Sequence, residues 1–211
     1  YGGSNPVYGD FDFYREKLQD VFQHPHHGAL QGFGAFPEGI QSNSLVYNFI
    51  YDLAWHDAQT PSAAWRSTPE WLAQQLGARY GLQANTPDGQ RLLTQWLHLY
   101  KAVYSTKYWE PRWWEDSAGA SLLQKRPTLE YLRYSGAPGN LTLLDQTLQK
   151  IIAMPRDSLQ APLLQYDLID LARHSATQHI DMLLQHTMLA YSQGQVARGD
   201  ALAQQAKHLI F

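Results

Sequence analysis

The sequence predicts a mainly α-helical fold that follows a shorter segment with a strand, helix, strand order. From about Ile40 onward, apolar residues recur with the helical period of 3.6 residues. Before that point, two Gly-containing stretches flank a short polar helix. We therefore expect strands only in the first forty residues and helices after them.

The first part contains one helix and the strand that follows it. Asp10 or Asp12 can cap a helix over about Phe13 to Phe22, because a short acidic side chain accepts hydrogen bonds from the free N–H groups of a first turn. The stretch Leu30 to Phe36 predicts a short strand that ends at Pro37.

The later helices have start and stop signals of their own. Pro87-Asp88-Gly89 predicts a helix start, Gly81 suits a left-handed C-terminal cap, and Gly194 ends the longest helix. We expect helices from about residue 40 to 53, over 68–79, 87–104, 141–153 and 163–191, and from beyond Gly194 to the end.

The longest helix has an expected inner face and a polar face. Its inward residues are expected to be Leu168, Leu171, Ala172, Ser175, Ala176, Met182, Leu183 and Leu189. Opposite charges three and four residues apart explain Asp167, Asp170, Arg173 and His174 as local helix-stabilising pairs. We expect His174, His179 and His186 to lie on a partly buried or surface face of this helix.

The domain boundary is expected between residues 58 and 59. The stretch Asp57 to Pro61 interrupts the helical pattern, and no repeat or low-complexity linker occurs elsewhere. Residues 1–58 then form one domain, and residues 59–211 form an incomplete α-helical one.

Composition excludes several classes of protein. A net charge of −3 without any run of Lys or Arg argues against nucleic acid as a partner. The absence of cysteine excludes disulfides and thiolate chemistry, and no apolar run is long enough for a membrane span. Aromatic residues make up 13% of the chain, which mildly favours carbohydrate binding because aromatic rings stack on the apolar faces of sugars.

Glu38 is the first candidate for catalysis. It follows a Gly-spaced apolar strand, and catalytic groups in (β/α)₈ barrels come from such strand ends. A retaining glycosidase needs a carboxylate nucleophile and a second carboxyl group about 5–5.5 Å away. The alternative is that Glu38 only stabilises the start of the next helix, where an acid is favourable in any case.

Two other stretches are candidates for binding. Asn5 in a Gly-rich turn can donate to and accept from sugar hydroxyls, although a plain turn explains it equally well. Trp109, Trp113 and Trp114 form either an aromatic wall of a pocket or a plug between domains. The run His24 to His27 lacks helical metal-ligand spacing, and we expect a solvated loop there and no metal or cofactor.

Five motifs in order resemble the α-N-acetylglucosaminidases of glycoside hydrolase family 89. The order and spacing hold from Gly2 to about Tyr191. The motifs are Gly32-x-Gly34-x-x-Pro37-Glu38-Gly39-Ile40-x-x-Asn43-x-x-x-Tyr47, Trp55, Ala78-Arg79-Tyr80-Gly81, Arg126-Pro127 and Tyr166-Asp167-Leu168-x-Asp170-Leu171-x-Arg173.

The resemblance implies a fold and a reaction. The fold would be the last strand or strands of a (β/α)₈ barrel, followed by an all-helical C-terminal domain that shares the active site. The reaction would be the retaining hydrolysis of terminal α-linked N-acetylglucosamine, with Glu38 as nucleophile. The pocket would include Asn5, Tyr8, Trp109, Arg112, Trp113 and Trp114.

The same resemblance implies partners and a compartment. The family's acid/base Glu lies on an earlier barrel strand, upstream of Tyr1, so the rest of the barrel is an expected partner and the isolated chain is expected to be inactive. The substrate would be a glycan that ends in α-N-acetylglucosamine, in a secreted, periplasmic or lysosomal setting. The alternative function is a non-catalytic helical module that binds glycans or proteins through the Trp109 to Trp114 loop.

Overall fold

The fold is mainly α-helical, as the sequence predicts. The computed structural model describes residues 9–26, 28, 34, 44–53, 66–83, 85–105 and 139–210. Its helices are α1 (Phe11–Gln23), α2 (Ser44–Leu53), α3 (Thr68–Tyr80), α4 (Pro87–Leu99), α5 (Leu141–Ile152), α6 (Pro162–Ser192) and α7 (Val196–Ile210). A π-helical turn, Tyr100–Tyr104, extends α4, and a 3₁₀ turn, Arg156–Leu159, precedes α6.

The predicted start of α1 is confirmed, and of the two candidate caps, Asp10 and Asp12, the structure shows that Asp10 caps the helix. The Asp10 carboxylate accepts a hydrogen bond from the Phe13 N–H at 2.9 Å and caps the helix. Asp12 lies inside the first turn and is free to bond elsewhere. The strand expected over residues 30–36 falls outside the described residues, apart from Gly34.

The predicted ends of α3 and the start of α4 are also confirmed. A capping box joins Ser67 and Glu70 at the start of α3, and Gly81 ends the helix with φ of +70°. Thr86 caps α4 just before Pro87. A Cβ on Gly89 would lie 1.9 Å from the Gln83 carbonyl oxygen, so only glycine fits the first turn of α4.

Aromatic rings from four elements form the centre of the core. Phe11 of α1 stacks on Phe49 of α2 with centroids 4.4 Å apart and on Tyr104 of the π-helical turn at 4.9 Å. Trp71 of α3 meets Phe49 edge-on at 5.0 Å. The cluster therefore packs α1 and α2 against α3 and the π-helical turn, although the predicted boundary assigns the first two and the last two to different domains.

The buried face of α6 differs from the predicted one. Of the expected inward residues, Leu171 is buried, but Ala172, Ala176, Met182 and Leu189 are exposed. The residues that are buried in the first half of α6 are Leu164, Asp167, Leu171, His174 and Gln178. They recur at steps of three and four, as one helical face requires. The prediction was wrong because it followed apolar and small residues, and three members of the buried face, Asp167, His174 and Gln178, are larger polar residues.

The second half of α6 packs along α7, which folds back after a turn at Gly194 with φ of +71°. Gly194 therefore ends α6 as predicted. Among the helices of the described part, none is both long and apolar enough to cross a membrane.

Candidate functional site

The predicted site residues lie outside the described residues. They are Glu38, Asn5, Tyr8, Trp109, Arg112, Trp113 and Trp114. The structure does describe the residues at the ends of the segments that contain them. These three segments join the described fold at Gly9, at Ser44, and at Ser105 and Gly139. The positions of these ends determine which segments can serve one pocket.

The described residues next to the N-terminal segment and those next to the Trp-rich segment lie side by side. The Gly9 N–H donates a hydrogen bond to the Val103 carbonyl oxygen at 3.1 Å. The next residue, Asp10, pairs with Ser105 in an isolated antiparallel bridge. Tyr8 precedes Gly9 directly, and Trp109 follows Ser105 by four residues, a reach of at most about 14 Å.

The other ends meet at the same place. The Asn140 N–H donates to the Ala102 carbonyl oxygen at 2.8 Å, so the segment 106–138 begins and returns at the π-helical turn. In α2, the Val46 side chain would lie 3.0 Å from a Cβ on Gly9. We name this meeting point the Gly9 junction, formed by Gly9, Asp10, Val46, Ala102, Val103, Ser105 and Asn140.

The Gly9 junction has two features of a functional site. A single π-helical turn inside or at the end of an α-helix often marks one. The N-terminal and Trp-rich segments also join the described fold at the junction, and α2 contacts it through Val46. Glu38 precedes Ser44, the first residue of α2, by six residues, a reach of at most about 21 Å. The geometry therefore permits Glu38, Asn5 and the Trp109 loop to serve one pocket.

A buried polar cluster holds the first residue of α2. Arg79 of α3 makes two hydrogen bonds to the Asp167 carboxylate of α6, from Nε at 2.6 Å and from Nη2 at 2.7 Å. The Tyr80 hydroxyl donates to the same carboxylate at 2.7 Å. Ser44 donates its hydroxyl to Asp167 at 3.1 Å and accepts from Arg79 Nη2 at 2.8 Å. We name Ser44, Arg79, Tyr80 and Asp167 the Asp167 cluster.

The charged groups of the Asp167 cluster are buried and bonded to each other. The Arg79 and Asp167 side chains are only 8% and 6% exposed. Burial, and then the neighbouring Asp167 carboxylate, raises the pKa of Tyr80 well above its usual value. The hydrogen bonds to Asp167 raise the pKa of Arg79 further, so the guanidinium keeps its charge. Arg79 therefore acts as a fixed cation within the cluster.

A second, more exposed polar cluster links α1 to the helices behind it. Asp12 accepts hydrogen bonds from the Thr68 hydroxyl at 2.8 Å, from Arg15 at 2.5 Å and from the Tyr100 hydroxyl of the π-helical turn. The Arg15 and Asp12 side chains are 17% and 35% exposed. We name Asp12, Arg15, Thr68 and Tyr100 the Asp12 cluster.

The Asp12 cluster shifts two pKa values in opposite directions. Partial burial works to raise the pKa of Asp12, but the hydrogen bonds from Tyr100 and Thr68 and the Arg15 charge outweigh it, so this pKa is lowered. Burial and the bond to Asp12 raise the pKa of Tyr100. Asp12 is therefore an ionised acceptor, and Tyr100 a neutral donor, across the ordinary pH range.

Sequence reasoning explained Asp167 by its helix neighbours, and that explanation is wrong. Its partners lie 87, 88 and 123 residues away along the chain. The local pair expected for Asp170 and Arg173 is confirmed at 2.5 Å. One signal could have identified Asp167: it lies between Leu164 and Leu171 on one helical face, where a carboxylate needs a buried cation as partner.

Other acidic and basic groups of the described fold have structural roles. Ser175 and His179 of α6 both bond to Asp145 of α5, at 2.5 and 2.7 Å, and tie the two helices together. His24 and His26 are exposed, and the His26 N–H donates to the His24 Nδ1. Within the described ranges, no three His, Asp or Glu side chains come close enough to hold a metal ion.

Two family models cover most of the chain. The α-N-acetylglucosaminidase (NAGLU) C-terminal domain matches residues 71–210, and the TIM-barrel domain of the same family matches residues 1–57. The Asp167 cluster joins the two matches, because Ser44 belongs to one and its partners to the other.

A curated relative supports the same relationship. The human α-N-acetylglucosaminidase is 22% identical over 197 residues, which cover 93% of this chain and 24% of the human protein. The chain therefore spans about a quarter of that relative's length. Because the C-terminal family model alone matches well over half of the residues, this chain belongs to the α-N-acetylglucosaminidase family, as part of its barrel followed by its helical C-terminal domain.

Proposed function

We propose that this chain is part of a retaining exo-glycosidase that hydrolyses terminal α-linked N-acetylglucosamine, with Glu38 as its nucleophile. The observation that supports the proposal most is the joint match to the barrel and helical domains of one glycosidase family. Pro37-Glu38-Gly39 lies within the barrel match and directly follows the strand that the sequence predicts over Leu30 to Phe36. Barrel enzymes carry their catalytic groups at the ends of such strands.

The first chemical step forms a covalent intermediate. An oxygen of the Glu38 carboxylate attacks the anomeric carbon of the terminal sugar, and the bond from that carbon to the glycosidic oxygen breaks. The bonding electrons leave with the oxygen, which takes a proton from a second carboxylic acid. We propose that this acid/base Glu lies on an earlier strand of the barrel, outside this chain.

The second step releases the sugar. Water attacks the same carbon while the acid/base carboxylate removes its proton, and the ester bond to Glu38 breaks with its electrons returning to the carboxylate. Two inversions at one carbon give the α-configured product. Because both carboxyl groups are needed, the isolated chain is expected to have no turnover.

The pocket and the domain boundary follow from the same proposal. Asn5, Tyr8, Trp109, Arg112, Trp113 and Trp114 line the pocket, with the aromatic residues offering faces for sugar rings. The meeting of their segments at the Gly9 junction supports a shared pocket. We place the boundary at residues 58 and 59, in the stretch between the two family matches. By family resemblance alone, the proposed setting is secreted, periplasmic or lysosomal.

Substitution of the nucleophile tests the proposal. In the full-length protein, Glu38→Gln should lower kcat on an aryl α-N-acetylglucosaminide by roughly a thousandfold or more, because a neutral amide cannot form the glycosyl ester. In Glu38→Ala, added azide should restore turnover and give the β-glycosyl azide, since azide enters from the side that the carboxylate vacated. The product's configuration is read by NMR.

The matched control is Glu70→Gln, which changes an acid at another helix start. Glu70 bonds to the Ser67 N–H and hydroxyl in a capping box, a role that Gln also fills. Its turnover should stay within about twofold of wild type. Equal activities of Glu38→Gln and wild type would mean that Glu38 is only a helix-start acid and would refute the proposal.

The alternative function, a non-catalytic binding module, gives a different result. It predicts that the 211-residue chain binds N-acetylglucosamine-terminated glycans by itself, that Trp113→Ala abolishes this binding, and that Glu38→Gln leaves it intact. Isothermal titration with the purified chain makes the measurement. Catalytic turnover by this chain alone would contradict the missing acid/base.

A further inference from the structure

We propose that Ser44 is a positioning residue for Glu38, through which Arg79 and Asp167 of the helical domain hold the segment that carries the nucleophile. The inference rests on the proposed function, because it gives Glu38 the role of nucleophile. It assigns the Asp167 cluster a part in the reaction although none of its members is proposed to touch the substrate.

Ser44 connects the barrel match to the helical-domain match. Its hydroxyl lies between the guanidinium of Arg79, which donates to it at 2.8 Å, and the carboxylate of Asp167, which accepts from it at 3.1 Å. Asp167 also accepts two bonds from Arg79 and one from Tyr80, so its oxygens are held from several directions. A hydroxyl bonded to two fixed charges has little freedom to move.

Both ends of α2 are fixed, and by different groups. The N-terminal residue, Ser44, is held by the Asp167 cluster, and near the C-terminal end Asp52 accepts a hydrogen bond from the Trp71 Nε1 at 3.0 Å. Between them, Leu45 and Phe49 are buried in the core. Loss of the Ser44 hydroxyl would therefore release the N-terminal end of α2 and leave the rest of the helix packed.

The end that is held is the one nearest the nucleophile. Glu38 precedes Ser44 by six residues, and the first turn of α2 also contacts Gly9 through Val46. The Asp167 carboxylate lies at the N-terminus of a ten-residue helix, where the helix dipole favours a negative charge. A small shift at Ser44 would pass along the chain to Glu38, and misplacement of about 1 Å can cost roughly a hundredfold in rate.

The decisive measurement is the rate at which Glu38 becomes labelled. A 5-fluoro-α-N-acetylglucosaminyl fluoride reacts once with the nucleophile of a retaining enzyme: the Glu38 oxygen bonds to the anomeric carbon, and fluoride leaves with the bonding electrons. Intact mass gives the fraction of labelled protein and its rate constant in the full-length protein. Peptide mapping identifies the labelled residue.

We expect Ser44→Ala to lower the labelling rate constant by roughly 10- to 100-fold while the final stoichiometry stays at one label per protein. Ser44→Thr, which keeps the hydroxyl, should recover most of the rate. A merely structural role would instead reduce the labelled fraction and leave the rate constant of the folded molecules unchanged.

The matched control is Ser158→Ala. Ser158 is buried, whereas Ser44 is half-buried, and it also donates its hydroxyl to an aspartate, Asp88 at the start of α4, but it belongs to no segment next to Glu38. Its labelling rate should stay unchanged, and its thermal stability should fall by less than that of Ser44→Ala, because the Asp88 side chain is 38% exposed and that of Asp167 only 6%. Equal rates in Ser44→Ala and Ser158→Ala would overturn the positioning role alone. A label on a residue other than Glu38 would overturn the nucleophile assignment and this inference with it.

Discussion

The Asp167 cluster and the Asp12 cluster use the same chemical groups in different surroundings. Each has a carboxylate that accepts hydrogen bonds from an arginine, a tyrosine and a hydroxyl residue. The arginine is 88 residues from the carboxylate in the Asp167 cluster and three residues from it in the Asp12 cluster. The Arg79 and Asp167 side chains are 8% and 6% exposed, whereas those of Arg15 and Asp12 are 17% and 35% exposed. The two clusters therefore differ in burial and in the arginine contact, which has two bonds to Asp167 and one bond to Asp12.

Burial changes what each cluster can do. A buried charge pair is not a strong source of net stability, but the loss of one partner leaves the other without water or a counterion. A half-exposed carboxylate that loses a partner is hydrated again at little cost. We therefore expect the Asp167 cluster to enforce one arrangement of α2, α3 and α6, and the Asp12 cluster to add a modest amount of stability.

The largest expected effect on stability comes from removal of Arg79, and removal of Arg15 is its comparison. Arg79→Met should lower the free energy of unfolding by about 3–5 kcal/mol, because it leaves the Asp167 carboxylate buried without its cation. Arg15→Met should cost about 1 kcal/mol or less, since water reaches Asp12. Urea denaturation followed by tryptophan fluorescence gives both values. Equal losses would contradict the role given to burial.

The next effect concerns His174, which lies on the same buried face of α6 as Asp167. Burial, and then the Arg173 charge, lowers the pKa of His174 to about 4. Between its ordinary pKa of 6.5 and about 4, the unfolded chain binds a proton that the native protein does not. Stability should therefore fall by about 3 kcal/mol as the pH falls through this window, and change no further from this group below it.

The test for His174 is a pair of substitutions on one helix. His174→Met should remove the part of the stability loss between pH 6.5 and 4 that this group causes, because the buried imidazole that resists protonation is then absent. The control His186→Met, at an exposed position of α6, should leave the loss in place. Urea midpoints at several pH values compare the two. A wild-type slope in His174→Met would exclude His174 as the cause.

The smallest effects come from the two tyrosines, which are the most closely matched pair. Tyr80→Phe should cost about 2 kcal/mol, because Asp167 is buried and loses one of its donors. Tyr100→Phe should cost about 1 kcal/mol, because Asp12 can bond to water instead. Thermal denaturation of both variants measures the difference, and a larger loss in Tyr100→Phe would reverse the comparison.

Tyr100→Phe should also change the response to acid. Because the folded-state pKa of Asp12 is lowered, its contribution is complete above the unfolded-state pKa and is lost as the pH falls through the folded-state value. Without the Tyr100 donor, the pKa of Asp12 should rise. NMR titration of the Asp12 carboxyl carbon follows this shift, and an unchanged titration would exclude Tyr100 as a cause of the lowered pKa.

Helix boundaries could be read from the sequence because their signals are local. Asp10, Gly81, Pro87 and Gly194 act on backbone groups within a few residues of themselves, and each ends or starts a helix where predicted. The mainly helical fold class and the family followed from the same kind of short pattern. The nucleophile assignment for Glu38 was also drawn from the sequence, and it remains a prediction.

Only the tertiary structure decided the partners of the polar groups. Ser44, Arg79 and Asp167 are far apart in the chain, and a pattern of hydrophobic periods does not record which distant charge an inward carboxylate meets. The meeting of three chain segments at the Gly9 junction depends likewise on backbone bonds between remote residues. The sequence by itself determined the helices and the family, because caps and motifs are short-range. The tertiary structure determined that Ser44 meets Arg79 and Asp167, because the Ser44–Asp167 contact joins residues more than a hundred positions apart.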